Sequence, residues 1–296
     1  MLDTARPPLP FTAEAEPVVA ALLCGRCMAE AAALLPAVFA LCRSAQQIAA
    51  HLAFGLPEAP GARMALAAEM RRDHLVKLWL SWPAFLGLPA RPLPADWAGG
   101  PALAAALFGP SGRLPDSAAG LAAFLASGHG LGPVLAALST AFAGGRARVA
   151  VLPPVDAERA FTLGAVENSP ALRHAAEPAM RAAETAQGRG PLWRALGRAF
   201  DLQAAIDPRL PAPRQPAPGQ ALVPAARGLY AVAATVRDGT VRNFLRVTPT
   251  DHMLARGGML EGALAALPAD RAGLAPLVLD ILDPCRKVTL GGIHHA

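Results

Sequence analysis

Asp238-Gly239 separates two strand-like runs, residues 229–236 and 240–247. An Asp-Gly pair suits a type I′ turn, because both central residues of that turn need positive φ. The pair therefore predicts a β-hairpin. Most of the remaining chain predicts helix. Hydrophobic residues make up 53% of the 296 positions, largely as alanine and leucine in runs, and those residues favour helix over sheet. Helical patterns cover 13–54 (with a break at Pro36), 58–88, 101–108, 118–143, 170–206, 258–267 and 274–282. Residues 148–152 read as a strand. Residues 207–226 carry six prolines: Pro208, Pro211, Pro213, Pro216, Pro218 and Pro224. That stretch reads as an extended, poorly ordered linker or loop inside a single domain spanning 1–296. The expected fold is mainly α, with a small β-hairpin near the C-terminal third.

Composition and patterning exclude several function classes. The formal charge is +5, but the arginines are scattered without aromatic interleaving, so there is no electrostatic footprint for nucleic acid. Residues 1–17 lack a basic stretch followed by an apolar core, as a secretory signal would have. The apolar segment 18–41 is interrupted by Arg26 and Glu30. A membrane span needs about 20 largely uncharged residues, so this segment reads as a buried helix. These readings predict a cytoplasmic protein.

Three of the four cysteines lie in motifs near the two ends: Leu23-Cys24-Gly25-Arg26-Cys27 and Leu282-Asp283-Pro284-Cys285. Four cysteines in a chain of this length do not make a disulfide framework. Thiolates spaced as CxxC can converge on one soft metal ion. Such a pair fills only two positions. Cys285 with His294 or His295 would complete a tetrahedral zinc site. A thioredoxin-like redox pair would need a βαβ context, which the surrounding sequence lacks. Inert core thiols are the remaining reading. Glu69 and His74 fall on the polar side of a helical pattern and read as solvated.

The order CGxC early and DPC late resembles the NiFe hydrogenase large subunit. Further segments carry the resemblance in the same order. Val166-Glu167-Asn168-Ser169-Pro170-Ala171-Leu172-Arg173 is similar to that family's VEVGPLAR, and Pro224-Ala225-Ala226-Arg227-Gly228 to its EAPRG. Thr248-Pro249-Thr250 is similar to its xPT motif, and residues 258–261 to its GPxE segment. The resemblance implies a shortened large-subunit-like helical core whose two ends meet at one metal centre. By position it makes Cys24 and Cys285 terminal nickel thiolates and Cys27 a bridge to an iron that carries two cyanides and one carbon monoxide. It gives Arg227 and Thr250 as hydrogen-bond donors to the cyanides, with Asp283 fixing Arg227. Cyanide on iron is an anionic acceptor, and a planar guanidinium makes strong charge-assisted bonds to such groups.

The departures are as informative as the matches. The late motif of that family is DPCxxC, and its second cysteine is Val288 here. The histidine four residues after the second early cysteine is Ala31, and Gly291 stands where a late histidine is expected. An RGxE segment is not recognisable before Cys24. That family carries a C-terminal peptide that is removed during maturation; with only Ala296 after His294 and His295, no such peptide is expected here. This pattern resembles the HupK family of hydrogenase expression/formation proteins. It implies a non-catalytic scaffold that transiently holds an Fe(CN)2CO fragment, with nickel as a second metal. The implied partners are the hydrogenase large subunit and Hyp-type maturation proteins. A degenerate large subunit with redox activity and a structural zinc or metal-free interaction protein are the other two readings. Cys42 lies fifteen residues after Cys27, near the same side of a continuous helix. It is a candidate to replace the lost bridge, but with Leu35, Phe39 and Leu41 around it, it reads as a core thiol. Glu167 is a candidate partner for Arg173 or Arg227.

Overall fold

The computed structural model describes residues 9–15 and 18–291. Strand β1 (Phe11–Ala13) precedes helices α1 (Val19–Leu23), α2 (Met28–Val38) and α3 (Arg43–Phe54). Helix α4 (Ala62–Leu75) runs through a π-helical stretch, Val76–Ser81, into α5 (Trp82–Phe85). Helices α6 (Pro101–Phe108), α7 (Ala118–Ala126) and α8 (Gly132–Ala141) follow, then α9 (Pro170–Arg173), α10 (Pro178–Gln187) and the long α11 (Pro191–Ile206). Strands β2 (Gln220–Ala225), β3 (Gly228–Arg237) and β4 (Thr240–Val247) form an antiparallel sheet in the order β2-β3-β4. Helices α12 (Pro249–Leu254), α13 (Met259–Ala265) and α14 (Ala275–Leu282) lead to β5 (Val288–Leu290), which pairs antiparallel with β1.

The mainly helical class and the hairpin agree with expectation. Asp238 and Gly239 have φ of 49° and 70°, so both turn residues are left-handed, as a type I′ turn requires. The proline-rich stretch differs from its reading. Its last residues, Gln220–Ala225, form an ordered strand buried on both faces. Ala221, Val223 and Ala225 point into the core shared with α3, while Leu222 packs with Ala160, Ala231 and Val247. Proline count hid this alternation. Pro224 is tolerated because β2 is an edge strand. The expected strand at 148–152 is reduced to one isolated bridge, Val149 with Arg189. Pro36 sits inside α2 without ending it. Helix α2 ends two residues later at Val38, and the chain is non-helical over 39–42, where Cys42 has a φ of 53°.

Two hydrophobic cores divide the molecule. One joins α1–α4 to the sheet, and the other surrounds α11 and α14. Helix α11 is buried from Pro191 to Ala205, yet it carries Arg194, Arg198 and Asp201. Their spacing of four and then three places them on one stripe. Each has a partner. Arg194 forks onto Glu167 at 2.8 and 3.0 Å, so Glu167 pairs with neither Arg173 nor Arg227. Asp201 accepts from Arg173 at 2.9 and 2.6 Å and bonds His74 at 2.6 Å and His174 at 3.1 Å. His74 is fully buried and not a solvated side chain, and Glu69 accepts from the Ser44 backbone N–H at 3.0 Å.

Gly197 faces Ala171 of α9, and a Cβ there would overlap the Ala171 backbone. Gly197→Ala gains up to about 1 kcal/mol of helix propensity, whereas overpacking costs about 1–3 kcal/mol. We expect a net loss of about 1–2 kcal/mol in urea denaturation. Asp201 gives a pH test. Burial pushes its pKa up, but Arg173, His174 and His74 outweigh burial and hold it well below the usual carboxylate range. Stability from a depressed carboxyl is present above the unfolded value of about 4 and is lost as pH falls below it. Asp201→Asn should cost about 3 kcal/mol at pH 7 and should flatten the decline in stability below pH ~4.

Candidate metal-fragment pocket

Arg227 lies in the tight turn between β2 and β3 and is 6% exposed. Its Nε donates to the Asp283 carbonyl at 3.1 Å, and its Nη2 to Asp283 Oδ1 at 3.3 Å. Its Nη1 meets Cys42 Sγ at 3.3 Å and Asp73 Oδ2 at 3.4 Å. Every nitrogen of the guanidinium is therefore committed, which fixes its plane. Asp283 caps the C-terminus of α14 in the left-handed region, at φ 57°, and this turn sends the chain into Pro284-Cys285. Arg198 Nη2 donates to Asp283 Oδ2 at 2.8 Å, and Lys77 Nζ lies 3.3 Å from Oδ1. Burial raises the pKa of Asp283, but Arg198, Arg227 and Lys77 hold it well below the usual range.

The Cys285 backbone N–H donates to Thr250 Oγ1 at 2.8 Å. Thr250 is fully buried in the first turn of α12. That helix is capped by Thr248, whose hydroxyl and backbone N–H are paired with Asp251 in a capping box. Thr250 thus acts on the site by holding the backbone of Cys285. Cys42 and Cys285 line one cavity of about 350 Å³ together with Phe39, Gln46, Arg227 and Tyr230. Burial pushes the Cys42 thiol up to about 11, against the pull of Arg227. The cavity wall also carries Arg246, Arg286 and Lys287, with Glu14 as the acidic side chain among its described lining residues.

Cys24 and Cys27 lie elsewhere. Gly25 N–H donates to Val241 O at 2.9 Å, Val241 N–H to Arg26 O at 3.0 Å, and Met28 N–H to Gly239 O at 2.9 Å. The CGRC segment is thereby fastened to the hairpin tip, with Cys27 opposite Thr240. Cys285 meets Thr250, beyond the other end of β4. The strand between them has eight residues, so the two thiol groups stand on the order of 20 Å apart. The expected convergence of Cys24, Cys27 and Cys285 does not occur, because the hairpin separates them. Among the described residues no group of three or more His, Cys, Asp and Glu side chains is arranged to hold a metal ion. His294 and His295 lie outside the described residues.

No family model matches the chain. It is 54% identical over 281 residues to "Hydrogenase expression/formation protein HupK" of Rhodobacter capsulatus, covering 94% of this chain and 91% of that protein. The chain belongs to the HupK family. The fold of this HupK-family chain is that of the NiFe hydrogenase large subunit. A Ni-Fe-Se hydrogenase from D. vulgaris Hildenborough superposes with a TM-score of 0.56 at 14% identity, covering 92% of both chains. A [NiFeSe] hydrogenase from Dm. baculatum gives 0.58 at 12% identity, covering 96% of this chain and 94% of that one. An NAD+-reducing NiFe hydrogenase gives 0.55 at 14%, covering 92% and 90%. No helix of the described residues is long and apolar enough to cross a membrane.

Cys42, a candidate replacement for the lost bridge that the sequence reads as a core thiol, lines the cavity. The available signal was a spacing. Counted from Cys42, the position three earlier is Phe39 and the position four later is Gln46, and both line the cavity. Gln46 brings a hydrogen-bonding side chain to the cavity wall, and its Nε2 donates to the Leu41 carbonyl at 2.8 Å. CGxC at 24–27 drew attention away because it keeps both cysteines.

Thiol labelling checks this placement. Cys27 is exposed and Cys42 is not. Iodoacetamide at pH 8 should modify Cys27 well before Cys42. The Cys42 rate should rise about tenfold per pH unit from 8 to 10, because its thiolate fraction does. Peptide mass spectrometry reads both.

Proposed function

We propose that this chain is a maturation scaffold for NiFe hydrogenase that holds an Fe(CN)2CO fragment in the Cys42–Cys285 pocket and passes it on. The fragment is cargo, not a resident cofactor. The observation that carries this reading is that two thiols and a fixed, buried guanidinium line one cavity. Soft thiolates suit iron that carries cyanide and carbon monoxide. Two thiolates and three diatomic ligands give the iron five donors. The same two thiolates would be half of a four-thiolate nickel set, so nickel is the less favoured guest.

The charges support the same reading. A bis-thiolate complex with two bound cyanides is anionic, and Arg227, Arg246, Arg286 and Lys287 line the cavity, with Asp283 and Asp73 on Arg227 and Asp251 on Arg286 offsetting part of their charge. Positive groups in a partly buried wall favour the anion more than they would in water. Arg227 is the cyanide donor in this reading: its Nη1 reaches Cys42 Sγ at 3.3 Å and turns that hydrogen bond to a cyanide when iron takes the thiolate. Cys42 must lose its proton when iron binds, and the high pKa set by burial opposes this step until the metal arrives. Two anchors instead of four hold the cargo less firmly, as a scaffold that must release it requires. The donor in this reading is a Hyp-type assembly protein, the recipient is the hydrogenase large subunit, and the exchange takes place in the cytoplasm.

Infrared spectroscopy of protein purified anaerobically from a hydrogenase-expressing host tests the proposal. We expect cyanide and carbon monoxide stretches with about one iron per chain. Cys42→Ser or Cys285→Ser should abolish them, and Cys24→Ser and Cys27→Ser should leave them in place. Bands that survive in both pocket variants, or that are missing from the parent protein, would reject the pocket as the cargo site.

A further inference from the structure

Arg227 is one end of a buried chain of polar contacts that leads away from the cavity. Arg227 holds Asp283 Oδ1 at 3.3 Å, and Arg198 holds Oδ2 of the same carboxylate at 2.8 Å. Arg198 Nη1 in turn reaches His74 Nδ1 at 3.4 Å, and His74 Nε2 lies 2.6 Å from Asp201 Oδ2. Asp201 is gripped by Arg173, which also donates to the Ala225 carbonyl at 3.0 Å, two residues before Arg227. At this far end Arg173 and His174 line a separate cleft of about 720 Å³.

The bonding leaves His74 one tautomer. Arg198 can only donate, so Nδ1 must accept, and Nε2 then carries the proton that goes to Asp201. Burial lowers the pKa of His74 and keeps the ring neutral. A neutral imidazole is suited to stand between a cation and an anion, because it satisfies both without adding charge. Arg198, His74, Asp201 and Asp283 are all buried. Buried ion networks are a weak source of stability, since apolar groups of the same volume often serve as well. What this network does supply is direction. Each member is held from two sides, and the last member held is the guanidinium that faces Cys42.

We infer that His74 and Asp201 are positioning residues of the cargo pocket, acting through Arg198 and Asp283 to set the plane of Arg227. This inference rests on the scaffold reading for its purpose but not for its geometry. Without His74, Arg198 loses the contact that aims it at Asp283 Oδ2. Asp283 Oδ2 is then held by a less constrained Arg198, and the plane of Arg227, still anchored through the Asp283 carbonyl and Asp73, tilts. Partners that orient a metal-binding group typically change metal retention by 10–100-fold when removed.

Two readouts test it, one with cargo and one without. In fragment-loaded protein, His74→Phe and Asp201→Asn should displace the cyanide stretches and release iron about tenfold faster than the parent. In cargo-free, 15N-labelled protein, the Arg227 Nε–H resonance, assigned by its loss in Arg227→Lys, should move in both variants. His74→Gln, which offers a donor and an acceptor, should bring the resonance back toward its parent position. If His74→Phe does not fold, Arg198→Lys carries the test, because it keeps a charge on Asp283 and gives up the reach to His74. A resonance that stays in place in folded His74→Phe or Arg198→Lys protein overturns the inference. A parent protein that carries no cyanide bands rejects the scaffold reading alone, and the resonance still decides the positioning role.

Discussion

The fork between Arg227 and Asp283 is the contact on which the site depends. Arg227 belongs to the sheet and its helical core, and Asp283 to the end of α14 in the second core. One guanidinium grips both the carbonyl and the carboxylate of one residue. Asp283 can present both groups because its backbone is left-handed there. The same turn aims Pro284-Cys285 back at the sheet. Cys42 then needs only to sit at the head of α3 to share a wall with Cys285. A charged pair with such burial contributes little stability by itself, but it fixes how the two cores face each other.

The parts of the fold legible in the sequence were those set by local chemistry. Asp238-Gly239 specified its turn because few other residue pairs accept two positive φ values. The helix at 101–108 was bounded by Gly100, Pro101 and Gly109, and the structure places it there. Strand β2 was not legible, because its pairing partner β3 lies across a turn and a proline count says nothing about pairing. His74 looked solvated because a helical wheel cannot foresee Asp201, 127 residues away. Arg227, Thr250, Asp283 and Cys285 do stand together, each in a segment whose order along the chain resembled the large subunit. Cys42 read as a core thiol because its neighbours are apolar, and an apolar neighbourhood describes a cavity wall as well as a core.

The CGRC segment illustrates how a spacing can be real and its destination wrong. Backbone bonds to Gly239 and Val241 put it at the hairpin tip, and β4 then fixes its distance from Cys285. Spacing reports which groups can converge locally. Only the strand pairing decides what they converge with.

The cavity takes its walls from both extremes of the described chain. Glu14 and Ala15 line it from one side, and Cys285, Arg286 and Lys287 from the other, with β1 and β5 paired alongside. A ribosome makes those walls at opposite ends of synthesis. A nascent chain therefore has Cys42 but no pocket. In the scaffold reading the chain must be made through at least Lys287 and folded before it can accept cargo there, so a filled site also reports that synthesis reached that residue.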